Sequence, residues 1–489
     1  MSLFPKHLGQ AHARLVLYAA LALVTAASIA GCGAGYRPVV TPINPSGPAS
    51  QPASNVFLIS APSPSSPGIA TVANYSGDTV MATAPVGTGP ITFTLDETGS
   101  TGYSYNSDGT VSNLPVTNQL QAKNITVTTL PSTAQPLNLF SPSAGLWIAD
   151  LDGNVVDVLT GSPETFKLAI PVAPTPVMVT GPALIGQRNY AITQGTVATG
   201  VDCNNSPTTG PVGEADGIEV ASYTVSSRIP LGKCPVYAVQ SSDARRLFVL
   251  NRGSDTVTVI NSQNNTLNAC VPFVNQIGRT VTCHPSLPLS TTAGLTGPGV
   301  PAVAGPVYAE YNAATSQLLV ANYDGSTVNV IDVSIDEFGN DSATFGTTFT
   351  IPAGANPAAV TALYDGSRAY SANQTDGTVT VMNLTSHTVE KTVAVTGHPR
   401  TVVSTQNSLY GKVYVASPDS PYLTILRTDQ DIVDTTVLVQ GNVLDVRTST
   451  QNATSGNVIT TSRRPGYGQP CYQPGTTASA SYASCTTLP

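Results

Sequence analysis

The residues of this 489-residue chain best placed to do chemistry are few: seven cysteines, five histidines and 28 carboxylates. Beyond Cys32, the cysteines are Cys203, Cys234, Cys270, Cys283, Cys471 and Cys485. An even count with no C-x-x-C pair, behind an N-terminal export signal, favours disulfides over metal ligation. Nearest-neighbour pairing joins Cys203 to Cys234, Cys270 to Cys283 and Cys471 to Cys485, each closing a short loop. It is one of about fifteen connectivities that six cysteines allow. Past the signal the histidines are His284, His387 and His398, too scattered for a metal cluster, and no metal or cofactor is expected. No serine stands in G-x-S-x-G and there is no H-E-x-x-H, so no catalytic residue is assigned.

The acidic stretches read as turns. Asp150-Leu151-Asp152-Gly153-Asn154 resembles the first half of a calcium loop, but its glycine is fourth, where the helix-loop site needs it sixth, and Gly161 stands where that site needs a glutamate. A hairpin explains it, because Asp and Asn tolerate positive φ and Gly supplies it. "DEFGND", Asp336 to Asp341, reads as another hairpin.

The elements that must position these groups are strands. Hydrophobic residues make up 41% and charged residues 10%, with Gly, Pro, Ser and Thr abundant, which suits short strands and tight turns; the fold class is all-β. A net charge of -8 without a basic run beyond the N-terminus lacks the footprint of a nucleic-acid binder. "LLVANYDGSTVNVIDV" (318–333) is a strand, a polar tip and a strand. It recurs as "LFVLNRGSDTVTVIN" (247–261), "AYSANQTDGTVTVMN" (369–383) and "LWIADLDGNVVDVL" (146–159), with weaker copies at 70–83, 102–114 and 412–426. A supersecondary unit repeated at this length means a propeller or solenoid. Prolines 90, 136, 176, 235, 306, 357 and 399 open a new strand each, at intervals of 46, 40, 59, 71, 51 and 42. Three intervals match one four-stranded blade of about 40–50 residues, and the long ones require insertions. Seven units run from about 90 to 440, and strand-like pieces at both ends close the ring, as an eighth blade or a reinforced seventh.

The pattern apolar-x-Asn-x-x-x-(Ser/Thr/Asp)-Thr-Val-x-Val-Ile, sharpest at 245–261, 318–333 and 367–383, resembles the YVTN-type repeat of YncE-like β-propellers within the seven-bladed lactonase-like superfamily. That resemblance implies a propeller of four-stranded antiparallel blades and little about chemistry. At the N-terminus, Lys6, His7, His12 and Arg14 precede the short apolar run "LVLYAALALVTAASIA", which has the form of a secretory signal. Its end, Ile29-Ala30-Gly31-Cys32, resembles the bacterial lipoprotein lipobox, which implies lipid attachment at Cys32 and a membrane anchor. Gly33, in place of the aspartate that retains such proteins in the inner membrane, implies the outer membrane. The organisation expected is a signal at 1–31, a Gly/Pro/Ser-rich tether at 32–54, the propeller at 55–461 and a disulfide-containing tail at 462–489.

Within each unit the strands are a after the proline, b before the tip, c after it and d before the next proline. The insertions 193–216 and 274–305 then fall in a b-c and a d-a connection, which emerge on one face, where long loops on a rigid scaffold carry binding function. His284 and His398 fall on that face too, either sharing a site or serving as ordinary pre-proline turns. Strand a lines the channel, so Tyr237, Tyr308, Glu310 and Arg400, with His398 on the loop face, are the candidate ligand contacts. Glu310 is the least expected in an apolar strand, and a hydrogen bond or water is the plainer reading. The leading expectation is an envelope scaffold binding a protein or small ligand, without catalysis. The rival is a lactonase-like hydrolase with its site at the channel mouth; a structural envelope component is the third class.

Overall fold

The computed structural model describes residues 55–448, apart from 76, 97–100, 116–125, 132, 135, 142–144, 182–187, 197–202, 204–206, 276, 291–302, 364 and 406–410, together with 461–463. Cys32, Cys471, Cys485, the signal and the tether lie outside the described residues. Each register proline opens an inner strand: Pro90–Leu95, Pro136–Phe140, Pro176–Thr180, Pro235–Gln240, Pro306–Asn312 and Pro357–Ala362 begin on it, and Thr401–Thr405 begins just after Pro399. Proline lacks an N–H and is tolerated at the first residue of an edge strand. These strands define blades 1 to 7, each a four-stranded antiparallel sheet in the order a-b-c-d. In blade 5 the four are Pro306–Asn312, Gln317–Asn322, Thr327–Asp332 and Thr348–Pro352.

The end pieces make an eighth blade. Strands Asn55–Ala61, Pro67–Asn74 and Val80–Thr88 supply b, c and d, and the C-terminal Asn442–Thr448 supplies a. Val56 stands opposite Thr448 and Ala61 opposite Asn442. Every inner strand packs against the inner strands of both neighbouring blades, so the circuit of eight is closed. Lys412 of blade 7 adds a further tie, its buried ammonium bonding the Tyr75 carbonyl and the Asp78 carboxylate of blade 8. A short strand, Thr461–Arg463, also pairs antiparallel with blade 2's inner strand on its channel edge.

The b and c strands read as near-continuous apolar runs because both their faces are covered by adjacent blades. In blade 5, Leu319, Ala321, Val328 and Val330 pack on Val360, Ala362, Ala369 and Met382 of blade 6. The alternate residues Leu318, Val320 and Ile331 pack on Leu247 and Val249 of blade 4.

The Asn of the repeat is a clamp. Its side-chain amide reaches across the b-c turn to the c strand: Asn322 donates to Thr327 Oγ1 (3.0 Å) and Asn329 Oδ1 (2.9 Å), and Asn373 to Thr378 Oγ1 (3.0 Å) and Thr380 Oγ1 (2.8 Å). Asn251 and Asn106 do the same in blades 4 and 1. On sequence alone, Asn and Gly are expected to permit the reversal. The left-handed residue of the opening tip is instead Ser326 (φ 50), and that of the blade 2 turn is Asn154 (φ 51).

Blade 4 departs from the expected layout. Its d strand is in two halves: Thr266–Leu267 pairs with Asn261 and Ile260, and Ser286–Pro288 pairs with Thr258, Val257 and Thr256. The chain leaves and rejoins at one residue, Val259, whose carbonyl accepts the Asn268 N–H (2.9 Å) and whose N–H donates to the Pro285 carbonyl (3.0 Å). Residues 268–285 thus interrupt strand d and lie at the outer edge, so the second cysteine-bearing insertion does not sit in a d-a connection.

Candidate functional site

The inner edge of a propeller sheet has main-chain N–H and C=O groups with no further strand to pair with, and each must find a partner. Here side chains from neighbouring inner strands supply partners. Asn138 Oδ1 of blade 2 accepts the Val179 N–H of blade 3 (2.9 Å), and the Met178 sulfur of blade 3 accepts the Ala238 N–H of blade 4 (3.2 Å). Glu310 belongs to this set. Its Oε1 accepts the Ala362 N–H of blade 6 (2.9 Å) and the Thr361 hydroxyl (3.3 Å), while Ser404 of blade 7 donates to the Ala362 carbonyl. Glu310 is buried, with its carboxylate engaged by the neighbouring strand.

Tyr237 and Tyr308, on the inner strands of blades 4 and 5, stack with ring centroids 4.8 Å apart. Burial first, then the nearby Tyr237 and Glu310, push the Tyr308 hydroxyl well above its ordinary pKa. Across the ring, blade 8 contributes Asp445 and Arg447, paired at 3.1 Å. Burial raises the Asp445 carboxyl above the usual range, and Arg447 and Arg400 oppose the rise. The structure thus gathers Tyr308 with Tyr237 and Glu310, and Arg400 with Asp445 and Arg447. Asp445 and Arg447 escaped sequence reasoning. Their signal was "NVLDVRTS", which becomes a channel wall once that segment is placed as an inner strand.

His398 stands apart from this wall. Asp419, in the b-c turn of blade 7, accepts the His398 main-chain N–H (2.8 Å) and binds its Nδ1. The same device recurs around the face: Asp376 accepts the Ala355 N–H (2.6 Å), Asp108 the Thr88 N–H (2.7 Å), and Asp255 those of Ala304 (3.1 Å) and Gly305 (2.8 Å). Carboxylates of the b-c turns thus fasten the d-a linkers. Asp324, in the opening tip, forms a two-pronged ion pair with Arg252 of blade 4 at 3.0 Å.

His284 and His398 share no site. Asp341, in the c-d connection of blade 5, accepts the His284 N–H (3.0 Å) and meets its Nδ1 (3.0 Å), and also receives Arg246 (3.2 Å) and Asn268 (2.8 Å). That connection belongs to the opposite face from the b-c turns, so the expectation that His284 joins the loop face is corrected. "DEFGND" is the predicted c-d hairpin, bridged at Ile335 and Asp341, and it anchors the blade 4 excursion. His387, the third histidine, stacks on Phe349 at 3.6 Å.

Two of the three expected disulfides are present. Cys203–Cys234 joins the b-c loop of blade 3 to the linker entering blade 4, on the expected face. Cys270–Cys283 closes the excursion from strand d, which also carries a two-stranded hairpin, Phe273–Val274 with Thr280–Val281. Arg279 braces this hairpin against blade 5 through Asp336 (2.6 Å) and the Asp341 carbonyl (2.8 Å). Its tip presents Val271 (85% exposed), Val274 (66%) and Ile277 (64%) to solvent.

No protein-family model and no curated protein matches the chain. Solved structures do. Apo AztD from Citrobacter koseri superposes with a TM-score of 0.55 at 14% identity, covering 80% of this chain and 96% of that one. The dihydro-heme d1 dehydrogenase NirN, in complex with DHE, superposes with a TM-score of 0.56 at 12% identity, covering 83% of this chain and 78% of that one. The chain is an eight-bladed β-propeller. At these identities the likeness extends to the fold alone. Among the described residues of this propeller, no three His, Cys, Asp or Glu side chains gather as metal ligands, and no helix is long and apolar enough to cross a membrane.

Proposed function

We propose that this propeller is a bacterial envelope lipoprotein, anchored through Cys32 in the outer membrane, that serves as a binding scaffold for a protein partner. The observation that carries the scaffold reading is the blade 4 excursion. A disulfide and an arginine brace hold three apolar side chains out in water, where they gain nothing unless a partner covers them. Rigid presentation lowers the ordering cost of binding. The polar inner-strand side chains support the same reading, since Glu310, Asn138 and Ser404 are engaged in satisfying neighbouring main chain.

The test is cross-linking capture from envelopes of the source bacterium, with wild type and a Val271→Asp, Val274→Asp, Ile277→Asp variant. The scaffold reading requires a specific partner captured by the wild type and lost in the variant; an identical capture profile refutes it. Globomycin treatment or Cys32→Ser should release the protein from the membrane fraction, and unchanged fractionation removes the anchor.

The hydrolase reading keeps one observation: Asp445, with its carboxyl raised above the usual range, beside Arg447 and Arg400 in the channel wall. Lactone turnover abolished by Asp445→Asn would establish it, and absence of turnover across cyclic esters would dismiss it.

A further inference from the structure

In one blade the clamp is rewritten in a way that changes its chemistry. Blades 1, 4, 5 and 6 end strand b with Asn106, Asn251, Asn322 and Asn373. In each, the amide donates to the c-strand residue two places beyond its ladder partner: Ser112 (3.0 Å), Thr258 (2.8 Å), Asn329 (2.9 Å) and Thr380 (2.8 Å). In blade 2 the corresponding residues are both acids. Asp150 ends strand b opposite Val155, and Asp157 lies two places beyond Val155. They are 3% and 1% exposed.

An amide brings hydrogens to this contact, whereas an ionised carboxylate only accepts. Two ionised carboxylates facing each other away from water repel, and one is driven to protonate. The Asp157 Oδ2 atom is buried with no hydrogen-bond partner, as expected of an oxygen awaiting a donor in the position where the other blades have an amide. We propose that Asp150 and Asp157 hold one proton between them, which takes the place of the clamp's amide hydrogen and makes the blade 2 turn sensitive to pH.

The surroundings offer no substitute. The strands packed on this pair are Pro136–Phe140, Glu164–Pro171 and the inner strand Pro176–Thr180 of blade 3. The first and third carry no ionisable residue. On the second, Glu164 is engaged by Tyr103 (2.7 Å) and Asn113, and the Lys167 ammonium by Tyr223 (2.9 Å). Asp152 in the turn points to solvent. Burial, and secondarily Asp150, raise the Asp157 carboxyl to about 7. Because that lies above the ordinary value of 3.8, the native state binds more protons than the unfolded chain between the two. This contribution to stability is therefore complete below pH ~4, declines towards pH ~7 and is absent above.

The experiment compares thermal unfolding of the full chain with its Asp150→Asn variant from pH 5 to 8, at fixed ionic strength. The substitution restores the amide donor, so the variant should gain on the wild type steadily as pH rises and melt above it at pH 8. A difference constant across the range overturns the proposal. Infrared spectroscopy gives a second measurement that does not depend on stability. The wild type should show a protonated buried carboxyl band at pH 6 that Asp157→Asn removes, and its absence from the wild type also overturns the proposal. Stabilisation of the wild type at pH 8 by millimolar calcium, reversed by chelator and missing in Asp150→Asn, would overturn it in favour of a cation in place of the proton.

Discussion

Replacing Asn322 by alanine separates a clamp from a ligand site at the tip of blade 5. The side chain makes two hydrogen bonds, to Thr327 Oγ1 at 3.0 Å and Asn329 Oδ1 at 2.9 Å, with Asn322 fully buried. Each is worth about 1 kcal/mol net, and an acceptor left buried without its donor costs a further ~1–3 kcal/mol. Asn329 Oδ1 keeps the Ser290 N–H at 3.2 Å, so the orphaning penalty falls mainly on Thr327. The expected loss is about 2–4 kcal/mol. With an m-value of about 3 kcal/mol/M, the urea midpoint should drop by roughly 1 M with the slope unchanged. Equilibrium unfolding followed by fluorescence reads this directly. A midpoint within error of wild type refutes the clamp, and with it the comparison that identifies the acid pair of blade 2 as an altered clamp.

Three further outcomes are expected. Lys412→Met leaves Asp78 without its partner in a nearly buried pair and should cost about 3 kcal/mol, read as a lowered denaturation midpoint. A double Cys203→Ser, Cys234→Ser change frees a crosslink spanning 31 residues and should cost about 3 kcal/mol of stability, with reductant producing the same loss in the wild type. The corresponding change at Cys270 and Cys283 should leave the global midpoint nearly intact while exposing 268–285 to limited proteolysis, because strand d is already rejoined at Val259.

The architecture was legible because its signals are local and repeated. Prolines mark inner strands, since an edge position tolerates the missing N–H, and alternating Val, Ile and Leu mark strands enclosed on both sides. The blade 4 insertion was misplaced for an equally local reason: Thr266–Leu267 is too short to announce a strand, and Ser286–Pro288 lies beyond eighteen residues of unrelated chain. Glu310 stood out correctly as unusual. Its reason, a main-chain N–H on the next blade, lies 52 residues away and leaves no trace in its own strand. Asp150 was visible as part of a turn; that it occupies the clamp position became apparent only when the blades were laid over one another.

The eighth blade also sets an order of events. The N-terminal strand Asn55–Ala61 is made first, yet its inner neighbour, Asn442–Thr448, is nearly the last part of the ring to be synthesised. Until that strand arrives, the edge from Val56 to Ala61 is an open template for any passing strand. Such long-range pairing is slow to form, so the nascent chain needs protection for the full length of its synthesis. A chain truncated before residue 442 retains seven blades with one raw edge, a product expected to polymerise or be degraded. The final strand thus acts as proof that the chain was finished.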